Sequence, residues 1–161
     1  MKDVEIVATG PELISQGYRA IEPAIEEMLR GAQGWIHIMS FVFRPSAMNI
    51  LDLLETAAQK GVNIKIVINR LERQDSGVKS KLKFLKLSYP ESVTLANFND
   101  PNNRQLHAKV LVIDRKIAFV GSANLSWRGM TSNYEIGIIV HDSGAWQLAN
   151  LIDSFSKHAC I

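Results

Sequence analysis

His107 and Lys109 stand two residues apart at the head of an apolar run, LHAKVLVID, and residues two apart on an extended strand leave the same face of a sheet. An imidazole and an ammonium side by side suit a phosphate. The first can attack phosphorus or move a proton, and the second offsets charge on the oxygens. Asp114 ends the run with the opposite parity to His107, and with Arg115 and Lys116 it reads as a tight polar turn into a second run, Ile117 to Val120. That run closes on Gly121, Ser122, Ala123 and Asn124, where glycine permits close backbone approach and Ser and Asn offer short neutral hydrogen-bonding groups. Farther on, Glu135 is a lone carboxylate beside Ile136, Ile138, Ile139 and Val140, a setting in which it needs a partner.

Taken together, His-x-Lys-x4-Asp, then x6-Gly-Ser-x-Asn and a trailing Glu resemble the signature of the phospholipase D superfamily. The matching positions are His107, Lys109, Asp114, Gly121, Ser122, Asn124 and Glu135. The resemblance implies an α/β fold with a mixed, mostly parallel central sheet flanked by helices on both faces. It also implies a phosphodiesterase that uses no metal and no cofactor, with His107, Lys109, Asp114 and Glu135 catalytic and with Lys109, Ser122 and Asn124 on the substrate phosphate.

In-line cleavage of a phosphodiester needs a nucleophile on one side of phosphorus and a proton donor on the other, and one imidazole cannot fill both places. The second acid is therefore His37, His141, His158 or the His107 of another copy. The resemblance favours a homodimer with a site shared across its axis, one His107 forming a phosphohistidine and the other protonating the departing alcohol. In that scheme Glu135 accepts a hydrogen bond from a ring nitrogen, while Asp114 is as well suited to steadying its turn as to catalysis.

Superfamily members act on phospholipids or nucleic acids, or transfer phosphatidyl groups, and short chains with one motif are mostly nucleases. No apolar loop or amphipathic membrane helix stands out here. The expectation is a sequence-nonspecific endonuclease on single-stranded DNA or RNA without membrane attachment, with a further role in defence against foreign DNA alongside partner proteins. A lipid phosphodiesterase of phospholipase D type and a non-catalytic subunit that binds phosphate or nucleic acid are the alternatives. Arg104, just ahead of the motif, is a candidate substrate contact. Trp127 and Arg128 could stack on a base or meet a phosphate, or pack under their own loop. Lys79, Lys83 and Lys86 share one face of a helix, either as a solvated surface or as a track for phosphates.

The elements that must position these groups are legible in outline. With 161 residues and 47% hydrophobic content the chain reads as one folded domain, 1–161. The net charge of +2 is too small to announce a nucleic-acid binder, so any electrostatic footprint is local. Cys160 is the one cysteine, which excludes an intramolecular disulfide and a cysteine-built metal site. The first residues carry Lys2, Asp3 and Glu5 and no apolar leader core, so a cytoplasmic location is expected, although small nucleases of this resemblance are often exported.

Strands are expected at Val4 to Ala8, Trp35 to Phe43, Val62 to Ile68 and Val93 to Phe98, then along the two motif runs and Tyr134 to Val140. Helices are expected from about Ile21 to Gly31, after a Ser46 cap to Gly61, from Val78 to about Leu87, and from Ser143 to Lys157. Asn69 to Gly77 reads as a polar loop.

Overall fold

The computed structural model describes residues 4–126 and 131–158, the side chain of His158 excepted. Its strands are β1 (Val4–Thr9), β2 (Arg19–Ala20), β3 (Trp35–Ser40), β4 (Asn63–Asn69), β5 (Val93–Phe98), β6 (Lys109–Ile113), β7 (Ile117–Gly121) and β8 (Glu135–His141). Between and after them come α1 (Pro11–Ser15), α2 (Ile21–Arg30), α3 (Met48–Gln59), α4 (Ser76–Ser88) and α5 (Ser143–His158). All eight strands form one mixed sheet in the order β2-β1-β8-β7-β6-β3-β4-β5. The helices α3 and α4 connect the parallel trio β3, β4 and β5, and β6, β7 and β8 form an antiparallel meander. Mixed pairing with helices on both faces is the architecture expected, but parallel pairs are the minority. The short β6–β7 turn, the longer connection 122–134 that brings β8 back beside β7, and the pairing of β6 with β3 and of β8 with β1 make the remaining contacts antiparallel.

Each face of the sheet has its own core. Ile21, Ala24, Ile25, Met28 and Leu29 recur at helical spacing on α2, and with Ile50, Leu51 and Leu54 of α3 they cover Ile36, Ile38, Leu111 and Phe119. On the opposite face α5 lays Ala145, Ala149 and Ile152 over Met39, Val67, Val110 and Val112. Because β3 is buried on both faces, its sequence is apolar without alternation.

Two local expectations are corrected. Ser46 does not cap α3: Pro45 to Ala47 form a 3-10 turn, and the helix starts after Ala47 with no side-chain cap. The stretch from Trp35 leaves the sheet at Ser40 rather than Phe43, because Gln74 takes over its hydrogen bonding. The Phe43 N–H donates to Gln74 Oε1 (3.2 Å) and the Gln74 amide donates to the Phe41 carbonyl (3.2 Å). The chain can then bend away while its buried backbone groups stay paired.

Candidate active site

The carboxyl ends of β3, β4 and β7 and the amino ends of β6 and β8 meet at one edge of the sheet, the end where open α/β sheets hold ligands. His107 lies in the approach to β6, two residues before the ladder begins. Two side chains fix that approach: the Leu106 N–H donates to Asn69 Oδ1 (2.9 Å), and Asn69 is itself buried at the end of β4. The Phe41 N–H donates to the Ala108 carbonyl (3.1 Å), and the Phe41 ring packs against the His107 imidazole with centroids 4.6 Å apart. The imidazole itself is exposed, as a ring that must reach substrate has to be.

Lys109 sits beside it as the strand parity requires. Its Nζ is 2.9 Å from His107 Nδ1, donates to the His107 carbonyl (2.8 Å), and lies 5.6 Å from the centre of the Phe41 ring. The residue is only 8% exposed, and its stem runs over an apolar pocket lined by Ile25, Leu29, Ile38 and Phe119. That burial lowers the Lys109 pKa from its ordinary value, and the Glu135 carboxylate nearby opposes the shift.

Across the edge, Ser122 and Glu135 form the other wall. The Ser122 hydroxyl donates to the Glu135 carboxylate and accepts from the Ile136 N–H (3.2 Å), while Asn133 Nδ2 donates to the other carboxylate oxygen (3.3 Å). Within one copy, then, the Glu135 carboxylate meets Ser122 and Asn133, and the His107 ring meets Lys109 and Phe41. The ring nitrogen expected against Glu135 is not among those contacts. Asn124 is half-buried, and its Oδ1 is buried without a hydrogen-bond partner. The segment around it is anchored where the Arg44 N–H donates to the Leu125 carbonyl (2.9 Å).

The glycines have a physical cause. Gly121 and Gly137 face each other across β7 and β8, and the Phe119 ring lies flat over both. A Cβ on Gly121 would come 2.7 Å from that ring, and one on Gly137 closer still. Phe119 can therefore fill the core directly below the site.

Asp114 stands at the opposite end of β6. Its Oδ1 accepts from the N–H groups of Gly34 and Trp35 (2.7 Å each), and its Oδ2 accepts from that of Gln33 (3.0 Å). Asp114 and Arg115 both have positive φ, 52° and 58°, as the two central residues of a hairpin turn closed where the Lys116 N–H donates to the Ile113 carbonyl (2.9 Å). The catalytic expectation for Asp114 meets a carboxylate that stitches this turn to the start of β3, and the turn-stabilising alternative accounts for all of its contacts.

The other candidates are scattered. His141 closes β8 at the far end, opposite Ile117. His37 is fully buried under α5, its ring stacked on Trp35 and its Nε2 3.4 Å from Asp153 Oδ1 without an aligned hydrogen bond. Trp127 and Arg128 lie outside the described residues, as does the His158 side chain. The Arg104 guanidinium is held by Asp100 (2.9 Å). Lys79, Lys83 and Lys86 lie on α4, while Lys81 turns inward to Asp52 (2.9 Å) and Glu55 (2.5 Å) of α3. Among the described residues no three His, Cys, Asp or Glu side chains converge as a set of metal ligands.

Phe41, Asn69 and Gln74 were not singled out from the sequence. The signal available for Asn69 and Gln74 was their place just beyond the carboxyl end of a parallel strand.

Residues 25–158 match the family described as "Cardiolipin synthase, PLD-like domain". The DISARM protein DrmC of Bacillus paralicheniformis is 30% identical over 156 residues, covering 96% of this chain and 64% of that protein. Cardiolipin synthase 2 of Staphylococcus epidermidis is 28% identical over 141 residues, covering 88% of this chain and 28% of that protein. The chain thus spans less than two thirds of either relative. Among solved structures, NucT from Helicobacter pylori superposes with a TM-score of 0.74 at 18% identity, covering 98% of both chains.

Proposed function

The chain belongs to the PLD-like domain family, within the phospholipase D superfamily of phosphodiesterases, and from that footing we propose that it is a metal-independent, sequence-nonspecific endonuclease whose site is completed by a second copy. One observation carries the reading: a single exposed imidazole stands against a single buried ammonium at an open sheet edge. A two-fold axis at that edge would bring two such pairs to one phosphate.

In the first step a ring nitrogen of one His107 attacks phosphorus, the bond from phosphorus to the departing oxygen breaks, and the His107 of the second copy gives that oxygen a proton. In the second step the now neutral partner ring takes a proton from water, the hydroxide oxygen bonds to phosphorus, and the phosphorus–nitrogen bond breaks. Paired Lys109 ammonium groups offset charge on the non-bridging oxygens, the Asn124 amide nitrogen donates to them, and the Ser122 hydroxyl does so on turning from Glu135. Glu135 keeps Ser122 oriented and supplies the negative charge that steadies Lys109 as an ammonium despite its burial.

The substrate in this reading is single-stranded DNA or RNA. The likeness to DrmC supports a setting in defence against foreign DNA with partner proteins. Similarity to cardiolipin synthase 2 supports a second reading, phosphodiester chemistry on a lipid. No helix among the described residues is long and apolar enough to cross a membrane.

The test is hydrolysis of single-stranded oligonucleotide, plasmid, RNA and phosphatidylglycerol side by side in excess chelator. Nucleic acid should be cut, and His107→Asn should lower turnover by about a thousandfold or more. Trapping in acid-free conditions should show phosphate on His107. Mixing His107→Ala with Lys109→Ala chains should fail to restore full activity if each site draws on both copies. Full activity in His107→Asn, an absolute need for added divalent metal, or turnover of lipid alone would overturn the reading.

A further inference from the structure

Beside the His107 site, where β3 and β4 end, lies a second concavity of about 190 Å³ lined by Phe41, Arg44, Asn69, Arg70, Arg73 and Gln74. It gathers three guanidinium groups in a chain whose net charge is only +2. Among the described residues none of the three pairs with a carboxylate. Arg44 and Arg73 are exposed, and water alone would account for them.

Arg70 is different. It is only 4% exposed, and one terminal nitrogen donates to the Asn103 carbonyl (3.2 Å) and side-chain oxygen. Its Nε is buried with no partner. Burying a guanidinium without a counter-charge is costly, and an orphan donor adds to that cost. Arg70 is also held in the left-handed region, φ 48°, which is uncommon for a residue with a side chain. The surrounding bonds impose that conformation. The Arg70 N–H donates to the Phe98 carbonyl (2.9 Å), the Arg73 N–H donates to the Arg70 carbonyl (2.8 Å), and buried Gln74 donates to the Asn69 carbonyl (2.8 Å). A strained, buried, uncompensated cation fixed this way matches an anionic ligand.

The concavity is continuous with the reaction site. Phe41 forms a wall of both, since its ring packs on His107, and Gln105, two residues before His107, lines the concavity as well. We propose that the Arg44, Arg70 and Arg73 pocket is a subsite for a second phosphate, the next along a polynucleotide strand whose scissile diester lies at His107 and Lys109. This rests on the phosphodiesterase reading and names a polynucleotide as the substrate class. A glycerophospholipid with one diester has no second phosphate to place there, and its acyl chains would meet a polar wall.

The test compares binding in a His107→Asn background with and without Arg44→Ala and Arg73→Ala, both at exposed positions that the fold tolerates. Fluorescence anisotropy with a ten-nucleotide oligothymidylate should show affinity falling about ten- to hundredfold in the double variant. The slope of log K against log salt should become shallower by about 0.7 for each arginine removed. Thymidine dinucleotide, with a single phosphate, should lose much less.

Unchanged oligonucleotide affinity and salt slope, or an equal loss for the dinucleotide, would overturn the proposal. So would loss of binding to phosphatidylglycerol vesicles with oligonucleotide binding intact. Turnover assays on the unsubstituted chain separate the two readings. Hydrolysis together with flat binding data sinks the subsite alone, whereas absence of turnover on every diester sinks the reaction while the binding comparison still stands.

Discussion

Both oxygens of the Asp114 carboxylate are occupied by main-chain N–H groups of Gln33, Gly34 and Trp35, so its contribution is to the register between the β6–β7 turn and β3. Asp114→Ala removes an ionised acceptor from three donors, two of them exposed enough for water to replace it. Stability should fall by about 1–3 kcal/mol in urea denaturation, and turnover below the unfolding midpoint should stay within a few fold. His107→Asn should show the reverse, with unfolding unchanged and turnover lost. A large loss of turnover in Asp114→Ala at native stability would return Asp114 to the chemistry. The sequence disclosed the parity that turns Asp114 from His107. It did not disclose the partners, because they lie about 80 residues earlier and meet Asp114 only through the pairing of β3 with β6.

The ends of β7 and β8 show the same division between what spacing reveals and what packing decides. Gly121 was legible as a point of close approach, whereas Gly137 passed as one residue of an apolar strand. What requires both is the Phe119 ring lying over them. Gly137→Ala should therefore destabilise by about 1–3 kcal/mol through overpacking, and it should reduce turnover because β8 begins at Glu135, two residues away. Adding Phe119→Leu should recover part of the stability lost, and a double-mutant cycle in thermal or urea unfolding measures that coupling. Strictly additive effects would mean that the ring is not what excludes the methyl group. The stretch from Asn69 to Gly77 was legible only as a polar loop. Its bonds run to Phe41, Phe43 and Leu106, and no local pattern encodes contacts across three strand ends.

At the scale of the whole molecule, α5 is, among the described residues, the helix that covers one face of the sheet, and it is fastened at the end away from the site by a small charged cluster. Asp153 of α5 meets Lys65 of β4 (2.5 Å) and Arg115 of the β6–β7 turn (2.5 Å), with buried His37 of β3 at 3.4 Å. Burial pushes the Asp153 carboxyl up, but the hydrogen bonds from Lys65 and Arg115 outweigh it and hold the group below its ordinary value. Burial likewise dominates at His37 and lowers its pKa, with Arg115 and Lys65 acting in the same direction and Asp153 opposing.

A histidine kept neutral in the folded state takes up its proton more readily when unfolded. Its contribution to stability is complete above the unfolded value near 6.5 and is lost progressively as pH falls below it. Protonation would also set three cations around one carboxylate. Unfolding free energy should therefore be level near neutrality and decline below about pH 6.5, with a slope of up to about 1.4 kcal/mol per pH unit from this one group. Protonation of Asp153 adds a second loss below about pH 4. His37→Leu, which keeps an apolar side chain against Trp35 and α5, should flatten the first decline and leave the second. A decline below pH 6.5 that survives His37→Leu would mean that the sensitivity does not reside in His37.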